Sequence, residues 1–156
     1  MLTPAEDRFH HLATCISNLQ SALETLRTIR DASPDNPLIP AAFRFALVQY
    51  ASPFTTSQGQ TKRHILDSRH VPPEYVDLHN RIVTARHKVH AHSDLTLANA
   101  RFKATGTESA PSAEIQGTYI DELAELPNIG LIIAMLNESI GKMYDESHAQ
   151  LAALNS

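Results

Sequence analysis

The sequence of 156 residues contains no tryptophan, one cysteine and only five glycines. Cys15 has no second cysteine to pair with, which excludes an intramolecular disulfide and leaves nothing that indicates an oxidising compartment. The glycines are scattered, so the sequence has no glycine-rich loop of the kind that binds phosphate. The hydrophobic share of 42% and the net charge of −4 are typical of one globular domain and exclude a disordered or collagen-like chain.

Long hydrophobic runs are also absent. No segment approaches the roughly 20 apolar residues that a membrane-spanning helix needs. The first residues, Met1 to Asp7, lack the basic and apolar regions of a signal peptide. We therefore expect a cytoplasmic protein with no membrane partner.

Four segments have the apolar periodicity of amphipathic helices. The first opens with Thr3-Pro4-Ala5-Glu6, a sequence that predicts a capping box, and must end before Ser33-Pro34. The other three are predicted from about Pro40 to Ala51, from after Pro73 through Val89, and from near Pro127 through Leu154. Each has one apolar face, so we predict a single all-α domain over residues 1–156, an antiparallel four-helix bundle.

Two connections interrupt this pattern. Residues 53–73 are rich in Ser, Thr, Gln and Pro, which predicts a loop with at most one helical turn near Ile65. Residues 93–126 form an insertion before the last helix, in which residues 100–104 and 115–119 alternate in polarity around a cluster of helix-breaking residues. This alternation permits a small β-hairpin, and a long loop is the other interpretation.

The charges are unevenly distributed along the chain. Residues 62–103 contain eight basic and four acidic residues, whereas the remainder contains five basic and thirteen acidic residues. Six of the nine histidines also lie in residues 62–103. This polarity favours a binding surface for phosphate, unless the charges mix in space to give an ordinary solvated surface.

The third helix carries the most reactive cluster, Arg86-His87-Lys88-Val89-His90-Ala91-His92. A histidine can move a proton at neutral pH, and an arginine can hold the phosphate oxygens as negative charge develops on them. Together they suit the cleavage of RNA without a metal or other cofactor. Arg86 and His90 share a helical face, so His92 reaches the same ligand only if the helix ends near it or if a second subunit contributes.

The cluster resembles the Arg-polar-x-x-x-Ala-His form of the motif found in HEPN domains (higher eukaryote and prokaryote nucleotide-binding). The resemblance implies a small helical bundle that acts as a ribonuclease toxin in toxin–antitoxin or abortive-infection defence, with an antitoxin as a further partner. It implies a homodimer through the third helix. Arg86 and His92 would be the catalytic pair and His87 the residue that orients them. Contacts with RNA are assigned to Lys88, His90, Arg101 and Lys103. Asp94 replaces the tyrosine of one regulated subgroup.

Several other interpretations remain open. His92 suits a buried core position, and Arg86 suits an ion pair with a glutamate of the last helix. His87, His90 and His92 supply too few ligands on one face for zinc. Cys15 is expected to be a small buried residue, and His10 and His11 to lie on the surface. The whole domain could also be a non-catalytic module that binds a nucleotide, RNA or a protein, or a purely structural bundle.

Overall fold

The computed structural model describes residues 1–90, 101–107, 110–116, 121 and 123–155. These residues form four α-helices, which confirms the all-α prediction. The helices are α1 (Pro4–Asp31), α2 (Ile39–Ala51), α3 (Val76–His90) and α4 (Ile129–Leu154). Two antiparallel hairpins connect them, β1 (Ser57–Gln58) with β2 (Arg63–His64), and β3 (Arg101–Thr107) with β4 (Ala110–Gln116).

Helix α1 begins and ends where its sequence predicts. The Thr3 hydroxyl accepts a hydrogen bond from the Glu6 backbone N–H at 3.3 Å, and the Glu6 carboxylate accepts one from the Thr3 N–H at 2.6 Å. Pro4 occupies the first turn, where its missing N–H costs nothing. The helix ends at Asp31, just before the proline-containing turn. The capping box is therefore confirmed.

Helix α1 is the centre of the bundle and packs against both α2 and α4. Two side-chain hydrogen bonds show that α1 and α4 are antiparallel, because Gln20 bonds Tyr144 at 2.7 Å whereas Arg27 bonds Asn137 at 2.9 Å. Helix α3 packs against α2. The core between the helices contains these fully buried side chains: Leu19, Leu26, Phe43, Tyr50, Ile82, Ile132, Met135, Leu136 and Met143.

The loop over residues 53–73 contains more structure than its composition predicts. Its helical turns are 3₁₀ turns, one within it at Ser68–His70 and two that overlap its ends at Ser52–Phe54 and Pro73–Tyr75, and none is at Ile65. The Asp67 carboxylate caps the turn at Ser68–His70 by accepting a hydrogen bond from the Arg69 N–H at 2.9 Å. The β1–β2 hairpin precedes it. Within the described ranges, no helix is both long and apolar enough to cross a membrane.

The insertion contains the β-hairpin rather than a structureless loop. Phe102 pairs with Ile115, and the ladder continues to Thr107 opposite Ala110. The helix-breaking cluster is thus mostly strand, since threonine suits the pleated backbone and the chain reverses only between Thr107 and Ala110. Residues 93–100, 108–109, 117–120 and 122 of the insertion lie outside the described residues.

Candidate functional site

Arg86 continues the buried face of α3. It follows Leu78 and Ile82 at four-residue intervals, and both of those side chains are buried. Arg86 itself is half-buried, and its Nε atom is enclosed without a hydrogen-bond partner. The fold therefore holds a guanidinium group at the C-terminal end of α3 with one donor unsatisfied.

The alternative of an ion pair between Arg86 and α4 finds no support in the described part of the chain. Glu138 of α4 accepts a hydrogen bond from the Tyr75 hydroxyl at 3.3 Å, and Glu146 is bound by Arg69 at 3.0 Å. No described carboxylate lies within ion-pair distance of Arg86. Among the described residues, the positive charge of Arg86 therefore has no carboxylate counterpart.

The other predicted site residues are described only in part. Lys103 is exposed on β3, opposite Glu114 in the ladder. The backbone of α3 is helical through His90, which confirms that Arg86 and His90 share a face. The described residues do not include His92, and they do not include the side chains of His87, Lys88, His90 and Arg101.

One histidine of α3 belongs to the core. His79 is 6% exposed, its Nδ1 atom lies 2.7 Å from the Tyr50 hydroxyl, and its ring meets the Phe54 ring edge-on at 4.5 Å. Burial lowers the pKa of His79. His79 is therefore a hydrogen-bonded core histidine, whereas His92, for which the sequence suggests the same role as one alternative, lies outside the described residues.

The basic stretch of the sequence does not form one surface. Arg81 binds the Glu125 carboxylate through two nitrogens at 2.6 and 3.2 Å, and this contact holds the pKa of Glu125 below its usual value. Arg86 lies beyond Arg81 along α3 and is therefore further from the start of the helix at Val76. Three other basic residues precede α3 in the chain and line a separate groove: Lys62, Arg63 and Arg69.

This basic groove has a volume of about 320 Å³ and is lined by Arg8, Lys62, Arg63 and Arg69, with His11 and His70 beside them. Arg8 comes from α1, and no feature of the sequence indicates that it lies beside the other three cations. The wall from α4 supplies Glu146, whose carboxylate lies 2.7 Å from His70 Nε2. Burial raises the pKa of Glu146, but hydrogen bonds from His70 and Arg69 outweigh burial and keep the pKa below its usual value.

A buried carboxylate behind the groove fixes the turn that carries Lys62. Asp7 is 3% exposed and accepts bonds from the backbone N–H groups of Gln60 and Thr61, both at 3.0 Å. It also accepts the Thr61 hydroxyl at 2.6 Å and lies 2.9 Å from His64 Nε2. These contacts, with His64 the strongest, hold the pKa of Asp7 well below its usual range. In the sequence, Asp7 looks like an ordinary acidic residue of a first helical turn, and nothing there indicates that it holds the hairpin.

His11 and Cys15 continue the set of contacts that begins with Asp7 and His64. The His11 ring stacks on the His64 ring with centroids 4.8 Å apart, and Cys15 Sγ lies 3.5 Å from His11 Nε2. His11 is half-buried, so the prediction that it lies on the surface is wrong. Burial raises the pKa of Cys15 to about 12, which keeps the thiol protonated and unreactive. In the part of the chain that is described, no group of three His, Cys, Asp or Glu side chains is placed to hold a metal ion.

No protein-family model, curated protein or solved structure matches this chain. The HEPN resemblance therefore rests on the motif at residues 86–92 and on the helical pattern around it. Function has to be inferred from the chemistry of the two features above, the half-buried Arg86 and the basic groove.

Proposed function

We propose that the protein is a metal-independent endoribonuclease of the HEPN type, in which Arg86 and His92 act on one RNA phosphate. The observation that carries the proposal is the Nε atom of Arg86, enclosed at the end of α3 without a partner among the described residues. An unsatisfied buried donor costs stability, so it needs an explanation, and a catalytic role is one of those that apply to such groups. An arginine held without a carboxylate partner suits a phosphate.

The reaction follows from the two side chains. A neutral imidazole of His92 would remove the proton from a ribose 2′-hydroxyl, and the 2′-oxygen would attack the adjacent phosphorus. The bond to the 5′-oxygen breaks, a protonated imidazole donates a proton to that oxygen, and a 2′,3′-cyclic phosphate remains. Arg86 would stabilise the charge that builds on the phosphate oxygens. His87 would orient this pair.

A homodimer through α3 would supply two copies of each residue to one cleft, so that one imidazole acts as base and the other as acid. Lys88, His90, Arg101 and Lys103 would contact the RNA backbone around the cleft. In this proposal the protein acts in the cytoplasm as a toxin or phage-defence effector, and an antitoxin protein would cover the cleft until it is needed.

The test is cleavage of labelled single-stranded RNA by the purified protein in the presence of EDTA. We expect Arg86→Ala and His92→Ala each to slow cleavage by a factor of about 100 or more. Lys142→Ala, which removes an exposed cation of α4, is the matched control and should retain full activity. RNA with 2′-O-methyl groups should resist cleavage, since it lacks the attacking hydroxyl. An inactive wild-type protein, or a His92→Ala variant as active as wild type, would refute the proposal.

A non-catalytic module that binds a nucleotide, RNA or a protein is the second candidate. It is favoured by the ion pairs of Arg69 with Glu146 and of Arg81 with Glu125, because they neutralise two cations that a broad RNA surface would use. RNA binding without cleavage, weakened by Arg86→Ala, would support this candidate over the first.

A further inference from the structure

We infer that the basic groove is a binding site for the phosphate of a ribonucleotide, either a free nucleotide or one unit of an RNA strand. The groove lies away from the cluster at Arg86 and is built from different elements, namely the start of α1, the β1–β2 hairpin, the following 3₁₀ turn and the end of α4. The inference does not depend on catalysis at Arg86.

The groove is lined by four cations and by two carboxylates, Asp67 and Glu146, so its net positive charge favours an anion. Arg8, Lys62 and Arg63 are exposed, and within the described residues none of them forms an ion pair. Arg69, the fourth cation, shares Glu146 with His70. Three unpaired cations around one concavity repel one another, and a bound phosphate would relieve that repulsion with charge-assisted hydrogen bonds.

The groove is also rigid on the side that carries the cations. The four hydrogen bonds to Asp7 fix the turn of the hairpin, so Lys62 and Arg63 project from a backbone that is already ordered. Gly59 is necessary in that turn, because a Cβ atom there would lie 2.5 Å from His64 Cδ2 and 2.7 Å from Asp7 Oδ2. A preorganised site loses less entropy when its ligand binds, which favours affinity.

The α4 wall indicates a ligand with a hydrogen-bond donor besides its phosphate. Gln150 lines the groove and donates its amide Nε2 to Glu146 at 3.0 Å, which identifies the other amide atom, Oε1, as the acceptor. That acceptor is buried and has no hydrogen-bond partner in the described structure. A ribose hydroxyl or a base N–H group can satisfy it after a small rotation of the side chain.

The distance between the groove and Arg86 allows the two sites to be tested separately. Helix α3 begins six residues after His70, the last groove residue before it, and rises about 15 Å from Val76 to Arg86. Tyr75 contacts Glu138 and Arg81 contacts Glu125, so α3 runs towards the N-terminal end of α4. The groove instead contacts the C-terminal half of α4, where Arg69 binds Glu146. A substitution in the groove therefore leaves the surroundings of Arg86 intact.

The experiment measures equilibrium binding of three probes, a 2′-O-methyl RNA oligonucleotide that cannot be cleaved, AMP, and inorganic phosphate. The test variant is K62A/R63A and the matched control is R27A/K142A, which removes the same charge from the exposed surface outside the groove. We expect K62A/R63A to weaken binding by about tenfold or more and to reduce its salt dependence, with less than about a twofold change in the control. Thermal unfolding of both variants checks that they fold.

Each outcome separates the possibilities. Binding of the oligonucleotide alone identifies an RNA strand as the ligand, and binding of AMP as well identifies a free nucleotide. Failure of the wild-type protein to bind any probe, equal weakening in both double variants, or binding of inorganic phosphate as tight as AMP would overturn the inference. If R86A abolishes cleavage while K62A/R63A binds normally, the groove inference fails and the proposed ribonuclease stands. If binding depends on Lys62 and Arg63 but the protein does not cleave RNA, the groove inference stands and the proposed ribonuclease fails.

Discussion

At the residue scale, the three buried histidines of the described residues differ in their hydrogen-bond partners. His79 lies against a tyrosine hydroxyl in the core, His64 against the buried Asp7, and His70 against Glu146. A nearby carboxylate or hydroxyl decides whether an imidazole is structural or available, and these partners come from distant parts of the chain. Exposure alone therefore does not rank them as functional candidates.

The contact between Tyr50 and His79 is expected to contribute to stability. Tyr50→Phe removes the hydroxyl and leaves His79 Nδ1 buried without a partner, so the free energy of unfolding should fall by about 1–3 kcal/mol. Urea denaturation followed by circular dichroism measures the change. Tyr144→Phe removes a hydroxyl whose hydrogen bond with Gln20 is exposed, so solvent can replace that bond and this control should cost less than about 0.5 kcal/mol. Equal effects of the two substitutions would contradict the prediction.

At the element scale, local sequence signals place the ends of the helices well, and distant contacts shape the connections. The capping box and the proline turn bound α1, and Pro53 follows the end of α2 as its sequence predicts. The loop at residues 53–73 contains a hairpin whose turn is held by Asp7 from another element, whereas its 3₁₀ turn at Ser68–His70 is capped by Asp67 of the loop itself. Its composition alone predicts only a loop.

The capping box of α1 gives one prediction at this scale. Thr3→Ala removes the side-chain acceptor for the Glu6 N–H and should lower the free energy of unfolding by about 1 kcal/mol. Thr14→Ala, at an exposed position inside the same helix, should have a neutral or slightly stabilising effect because alanine is the better helix former. Chemical denaturation of both variants provides the comparison, and a loss as large for Thr14→Ala would count against the cap.

The hairpin turn gives a second prediction. Gly59→Ala places a methyl group against His64 and Asp7 and should cost about 1–3 kcal/mol of stability, with weaker ligand binding in the basic groove. Gly141→Ala is the matched control, since its Cβ meets open space on α4 and should stabilise the helix by about 0.5–1 kcal/mol. Calorimetric melting of the two variants should therefore show shifts of opposite sign, and shifts of the same sign would refute the assignment.

At the scale of the whole molecule, the fold divides one basic stretch of sequence into two places. Lys62, Arg63 and Arg69 join Arg8 at the groove, while α3 carries Arg81 and Arg86 away from them. The net charge of −4 thus gives no measure of local charge, and neither does the excess of basic residues in residues 62–103. Two separate sites for phosphate chemistry are consistent with an acidic protein.

The pH dependence of stability is a property of the whole chain. Burial lowers the pKa of His79, and burial together with the nearby His64 lowers the pKa of His11. The unfolded chain takes up protons at these sites first, so stability should be full above the ordinary histidine pKa of about 6.5 and fall as the pH drops below it. A second loss should follow below about pH 4, because the unfolded chain protonates the carboxyl groups of Asp7, bound by His64 in the folded protein, and of Glu125, bound by Arg81, before the folded protein does.

Urea midpoints at about pH 7.5, 5.5 and 3.5 measure both steps. His79→Gln should flatten the dependence between the two higher values, whereas His10→Gln, at an exposed position, should leave it unchanged. A midpoint that rises between pH 7.5 and 5.5 would contradict the sign of the predicted change.

The sequence by itself determined the four helices, the limits of α1 and α2, and the shared face of Arg86 and His90, because caps, prolines and apolar periodicity act over a few residues. It also indicated the small hairpin at residues 101–116. Only the tertiary structure decided that Asp7 holds His64, that Arg69 and His70 meet Glu146, and that Arg8 joins the groove. These partners are separated by 57 residues for Asp7 and His64 and by 77 for Arg69 and Glu146, and no local rule links residues so far apart before the helices pack.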